Sequence, residues 1–225
     1  MNSRSALIPV SLDGADDSIV AAAPAITVTV SQAAVDHLAA WTRDQRTIAV
    51  HEAGHTVVAA LLGLSLAAVS IKSHSGGRLE LGIDADDQPR FRPDSMLRNL
   101  ITASLAGLAA EQRILGEGSE TSQSDIAQAT QIAQTRLNAG LVAEYPPIDV
   151  GSFQYGGVPQ AFVERQADLV IVQTERARAE AQQLVADHAD QILAFAARLF
   201  AARRLDGDVL VAALREVGVD LEMPR

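Results

Sequence analysis

The run His51-Glu52-Ala53-Gly54-His55 sets two imidazoles four residues apart, with a carboxylate beside the first. On a helix, residues four apart share a face with Cβ atoms roughly 5–6 Å apart, so both rings can reach one cation. Glu52 then lies next to that cation, where it can take a proton from a water and hand it to a leaving group. Hydrolysis at a zinc ion is the chemistry this suits. With five histidines and eleven glutamates in 225 residues, a chance H-E-x-x-H is expected in roughly half a per cent of shuffled sequences of this composition. An ordinary buried helix whose histidines are merely hydrogen-bonded is the bland alternative, and it starts well behind.

Two histidines do not complete a catalytic zinc site, which takes three protein ligands and an open position for water. The longer pattern H-E-x-x-H-x-x-G-x-x-H would need glycine and histidine where this chain has Val58 and Leu61, and it is excluded. The chain has no cysteine, so thiolate ligands, thiol nucleophiles and disulfides are excluded too. Of the other histidines, His37, His74 and His188, the nearest beyond the motif is His74, in an expected turn between strands where a surface role is preferred. Two carboxylates stand out. Glu111 lies in AGLAAEQRIL, where an acid among alanines and leucines must find a partner. Asp125 lies at the start of a helix in TSQSDIAQA, where Ser122-x-x-Asp125 also reads as a capping box and the helix dipole favours an acid. Spacing leaves Glu111 and Asp125 equally open as third ligand.

The elements that must position these groups are mostly helical. Ser31 or Asp36 starts a first stretch, SQAAVDHLAAWTRDQ, leading into the motif helix from about Gln45 to Leu62, with Gly63 as its stop. AAVSIKS and RLELGID read as two short strands, a β-hairpin or two edge strands next to that helix. Asp94 can cap a helix from Ser95 to Leu115, striped by Leu97, Leu100, Ile101, Leu105, Leu108 and Ile114 and stopped by Gly116. Another helix runs from near Ser122 to Gly140, and 141–160, rich in proline and glycine, is a loop. Residues 161 to about 204 form one long or two broken helices, and Asp206-Gly207 turns the chain into a last short one.

Composition agrees. Hydrophobic residues make up 48% of the chain and aromatics only 4%, which favours helices packed through small aliphatic side chains. The net charge of −10 argues against nucleic-acid or anionic-membrane partners, although Arg198, Arg203 and Arg204 lie close together as a local basic patch. Asp13, Asp16 and Asp17 interrupt any secretory signal, so residues 1–30 read as a polar, disordered tail before a single domain over 31–225. The longest apolar stretch, Thr56 to Ile71, is too short to span a membrane. A soluble, cytoplasmic protein is expected. The only lysine, Lys72, follows Ile71, so these residues hold no G-x-x-x-x-G-K-[ST] phosphate loop.

RTIAVHEAGHTVVAALLG resembles the zinc-binding helix of the peptidase domain of FtsH-type ATP-dependent metalloproteases. LAAVSIKSHSGGRLELGI is similar to the strand pair that follows in that family, and LITASLAGLAAEQRILGEGSETSQSDIAQATQIA to its helix-loop-helix with a D-[IL]-x-x-A-T element. RARAEAQQLVADHADQILAFAARLFAARRLDG resembles its C-terminal helices, so the likeness covers roughly residues 46 to 215. One departure is plain: where the family has G-G-R, this chain reads Ala106-Gly107-Leu108.

The resemblance implies a mainly α (α+β) zincin-like peptidase domain with a small β-hairpin beside the motif helix. It implies Zn²⁺ held by His51, His55 and Asp125, with Glu52 as catalytic base and Glu111 as a buried acid that fixes an imidazole. A zinc-dependent endopeptidase acting on peptides or unfolded proteins follows, with any ATPase motor supplied in trans. Related peptidase domains form hexameric rings, so a homo-oligomer is compatible with the likeness. The alternative from another class is a non-catalytic metal-binding module for interaction or regulation. The intact Glu52 argues against it, because chemistry needs that residue and metal binding does not.

Overall fold

Thr42 opens the motif helix with a capping box: its hydroxyl accepts the Gln45 N–H at 3.3 Å, and the Gln45 side chain accepts the Thr42 N–H at 3.0 Å. Helix α1 runs Arg43–Leu61 and ends where Gly63 takes a left-handed φ of 70°. The structure is a computed structural model, and it describes residues 41–72, 76–81, 91–145 and 159–219. The expected tail over 1–30, most of the stretch over 31–45, His37 and His74 lie outside the described residues.

Strands β1 (Leu66–Lys72) and β2 (Gly76–Leu81) pair antiparallel, with Val69 opposite Leu79 and Ile71 opposite Gly77. A third strand the sequence did not announce, β3 (Arg204–Asp206), pairs with the other side of β1, giving the order β2-β1-β3. Three residues carry too little pattern to read as a strand, and β3 owes its conformation to β1.

Helix α2 spans Asp94–Ala110 and widens into a π-helical turn, Glu111–Leu115, before the left-handed Gly116 stops it at φ 82°. The expected helix over 95–115 is thus two kinds of helix in series. A 3₁₀ turn, Glu120–Ser122, leads into α3 (Gln123–Asn138). Helices α4 (Gln160–Asp187) and α5 (Ala189–Ala202) are broken at His188, and α6 covers Gly207–Glu216.

Helix α1 is buried without interruption from Ala49 to Ala60, so it has no solvent face over that span. It packs against α2 and α5 with β1 and β2 alongside. Val50, Val57, Ile101, Leu137, Phe195 and Leu199 are among the residues of the main core. The seam between α1 and α2 is tight because its contacts are small: a Cβ placed on Gly54 would come 2.5 Å from Ala110 Cβ and 2.8 Å from the Ala106 carbonyl oxygen. Among the described residues no helix is long and apolar enough to cross a membrane. Two arginines of the expected basic patch are paired with acids, Arg198 with Glu216 and Arg204 with Glu80 and Asp206, and Arg203 lies over the Phe200 ring.

Asp94 does not cap α2; Pro93 holds that position and Asp94 is the first helical residue. Its carboxylate accepts from Arg136 Nε at 2.7 Å and from Arg98 at 3.0 Å, and Arg136 also bonds Gln173, tying α2, α3 and α4 together. The hydrogen bond to Arg136 holds the Asp94 carboxyl below its usual range. A depressed folded-state pKa stabilises fully above the unfolded value of about 3.9, and that stabilisation is lost as pH falls through the folded value. Asp94→Asn is therefore expected to lower unfolding free energy by about 1–2 kcal/mol near neutral pH. In denaturant melts the gap from wild type should close as pH drops below about 4. A gap that stays constant down to acid pH would refute this role for the charge.

Candidate metal centre

His51, Glu52 and His55 are 5%, 5% and 7% exposed, so each polar atom has to be met from within the protein. His55 Nδ1 lies 2.7 Å from the Ala103 carbonyl oxygen. A carbonyl only accepts, so Nδ1 carries the proton and the His55 Nε2 lone pair faces inward. His51 Nδ1 donates to Glu111 Oε1 at 2.6 Å, which aims its own Nε2 at the same point. The two Nε2 atoms are 2.9 Å apart. Asp125, on the first turn of α3, brings Oδ2 to 3.1 Å from His51 Nε2 and 3.5 Å from His55 Nε2.

Of the two carboxylates that spacing left open, Asp125 shares the inner point with both imidazoles, and Glu111 stands behind His51 on the outer side. One atom from each of His51, His55 and Asp125 falls within 4.8 Å of the others, the only such cation-sized group of three among the described residues. Three electron-pair donors aimed at one point repel unless a proton or a cation lies between them. The donor set, two imidazole nitrogens and one carboxylate oxygen, suits zinc.

The electrostatics follow from the same contacts. Burial works against a charged His51, yet the hydrogen bonds to Asp125 and Glu111 and the charge of Glu52 push it up to about 9. Burial alone would raise Asp125, but hydrogen bonds to His51 and His55 hold it well below the usual carboxylate range. Glu111 is likewise burdened by burial and is held low by His51 and Ser119. Thr121 adds a hydroxyl bond to Glu111 at 3.2 Å. Glu52 goes the other way: burial pushes its carboxyl up, against the pull of His55 and His51. Its Oε2 is buried with no hydrogen-bond partner among the described residues.

A cleft of about 1400 Å³ opens onto this group, lined by His51, Glu52, His55 and Asp125 and by β2 from Gly77 to Leu81. Gly77 lies against Glu52, so close that a Cβ there would overlap the carboxylate. His188 is remote from the centre, bonded to Gln191 at the α4–α5 break. The capping box expected of Ser122 and Asp125 does not form: Ser122 has helical backbone angles, and its buried hydroxyl has no partner among the described residues. Asp125 is turned to the histidines instead. Three contributors escaped the sequence reading. The Ala103 carbonyl and Thr121 left no signal, since any residue offers a carbonyl and threonine is common in turns. Gly107, where a Cβ would meet both imidazoles, left one, a glycine inside a helix of alanines.

The sequence matches the model of peptidase family M41 over residues 39–212, which spans the centre and most of the chain. It is 31% identical over 174 residues to the ATP-dependent zinc metalloprotease FtsH 2 of Sphaerobacter thermophilus, covering 75% of this chain and 26% of that one. It is 29% identical over 176 residues to the protein of the same name from Symbiobacterium thermophilum, covering 73% and 29%. A third relative, the ATP-dependent zinc metalloprotease FtsH of Hahella chejuensis, is 34% identical over 113 residues, covering 48% and 18%. The chain thus spans less than a third of the length of these curated relatives. The matched span contains the motif helix, both carboxylates and the sheet, and this chain belongs to peptidase family M41.

Proposed function

We propose that the chain is a zinc-dependent endopeptidase in which His51, His55 and Asp125 hold the ion and Glu52 is the general base. The convergence of His51 Nε2, His55 Nε2 and Asp125 Oδ2 beside the partnerless Glu52 oxygen carries the reading. Zinc bound there supplies Lewis acidity toward a water and a peptide carbonyl. Glu52, its proton affinity raised by burial, accepts the proton of the attacking water and returns it to the departing amine. Glu111 keeps His51 in one tautomer and one orientation through the Nδ1 bond.

Strand β2 is an edge of the sheet among the described residues and lines the cleft, so an extended peptide can add to it as a further strand and lie across Glu52. That mode accepts any unfolded segment by its main chain. The substrate class is therefore peptides and unfolded proteins. Work to unfold a folded substrate must come from an ATPase outside these 225 residues, for they hold no phosphate loop.

Zinc-loaded chain should cleave casein or an unstructured peptide and lose that activity to a chelator. Glu52→Gln should keep the wild-type zinc content and cut turnover by at least about 100-fold. Cleavage retained in that variant would rule out Glu52 as base, and a wild type that binds zinc without cleaving anything would favour a non-catalytic metal-binding module. The two carboxylates separate by metal analysis. Asp125→Ala should abolish tight zinc binding, whereas Glu111→Ala should still bind zinc, about 10–100-fold more weakly. The reverse pattern would make Glu111 the ligand.

A further inference from the structure

Gly107 lies buried inside α2 with an ordinary helical backbone, so nothing in its own conformation calls for glycine. Alanine is the better helix former, and α2 uses it at 103, 106, 109 and 110. What sets position 107 apart is what faces it. A Cβ there would come 2.5 Å from His55 Nε2, 2.7 Å from His51 Cε1 and 2.8 Å from His51 Nδ1. Non-bonded carbon needs well over 3 Å. Neither ring can swing aside freely, because His51 is tied to Glu111 and His55 to the Ala103 carbonyl. Gly54 on the facing helix is a different case, since the nearest atoms to a Cβ there belong to Ala110 and the Ala106 backbone, the scaffold itself.

We propose that Gly107 is a positioning residue of the metal centre: the side chain it lacks is the room in which the two imidazoles turn both Nε2 atoms onto one point. A methyl group at 107 would cost the ion and leave the fold. The inference rests on the reading of this site as a zinc centre.

The test strips wild type and Gly107→Ala with a chelator, titrates each with zinc against a chromophoric chelator, and records melts of the zinc-free forms. Gly107→Ala should melt cooperatively within a few degrees of wild type and bind zinc about 100-fold more weakly or worse. In a His51→Ala/His55→Ala background, which has no rings to displace, Gly107→Ala should raise the melting temperature, as alanine in a helix does. Gly54→Ala should lower it in both backgrounds, because the atoms it strikes remain. The proposal is overturned if Gly107→Ala binds zinc within about threefold of wild type, if it fails to fold, or if it destabilises the ring-free background as much as the wild type. Wild type that takes up no zinc would refute the metal-centre reading instead, a result separate from zinc uptake equal in wild type and variant.

Discussion

Three ionisable side chains stand on the stretch of α1, Ala49 to Ala60, that has no solvent face, and the rest of the molecule answers that constraint. A buried polar atom left without a partner costs about 1–3 kcal/mol, and His51, Glu52 and His55 bring several such atoms into the middle of the core. The answers come from different parts of the chain. Glu111 reaches His51 from the π-helical turn, Asp125 reaches both rings from α3, and the Ala103 carbonyl reaches His55 from α2. These groups can meet only if α1, α2 and α3 hold one mutual arrangement, so the helices are locked by the same contacts that build the site. Glu52 and Glu111 each keep one buried oxygen without a hydrogen-bond partner among the described residues, and of the two it is Glu52 that lines the cleft.

The composition now has a mechanical reading. Bonds of 2.6–2.7 Å from α1 rings to α2 and the π-helical turn that continues it require the two helix axes to come close, and a seam of Gly54, Ala106, Gly107 and Ala110 permits it. Leucine or phenylalanine at these positions would hold the helices apart and leave the imidazoles short of their partners. Abundant alanine and scarce aromatics are thus what a site between two closely packed helices needs. Larger core residues, such as Phe195 and Leu199 on α5, pack behind α1, away from the cleft.

Much of the fold was legible because its signals are local. The motif helix, the paired strands and the stops at Gly63 and Gly116 all come from periodicity and turn chemistry within a few residues, whereas the C-terminal stretch read equally as one long or two broken helices. The site was legible only as far as the motif. Glu111 and Asp125 lie 60 and 74 residues beyond His51, on separate elements, and no local pattern says which of two acids meets Nδ1 and which meets Nε2. Local pattern even misled at Ser122, where a sound capping box gave way because the Asp125 carboxylate gains more from two imidazoles than from the end of a helix. Strand β3 was hidden for the opposite reason: its three residues have no pattern of their own and take their conformation from β1.

Charge explains why the centre suits a divalent cation better than hydrogen bonds alone. Glu52, Glu111 and Asp125 bring three carboxylates to two imidazoles in a largely buried space, and each acid acts on His51 or is acted on by it. One proton on His51 leaves an excess of negative charge, which is costly away from water. A dication in place of that proton would leave a single negative charge, and taking up a proton at Glu52 would bring the cluster to neutrality. In the proposed reaction the proton that reaches Glu52 leaves a hydroxide behind, so the net charge is unchanged and what moves is the negative charge, from the carboxylate to the nucleophile. Burial raises the proton affinity of Glu52 while the hydrogen bonds to the imidazoles hold those of Asp125 and Glu111 down, so of the three acids the one beside the cleft takes a proton most readily.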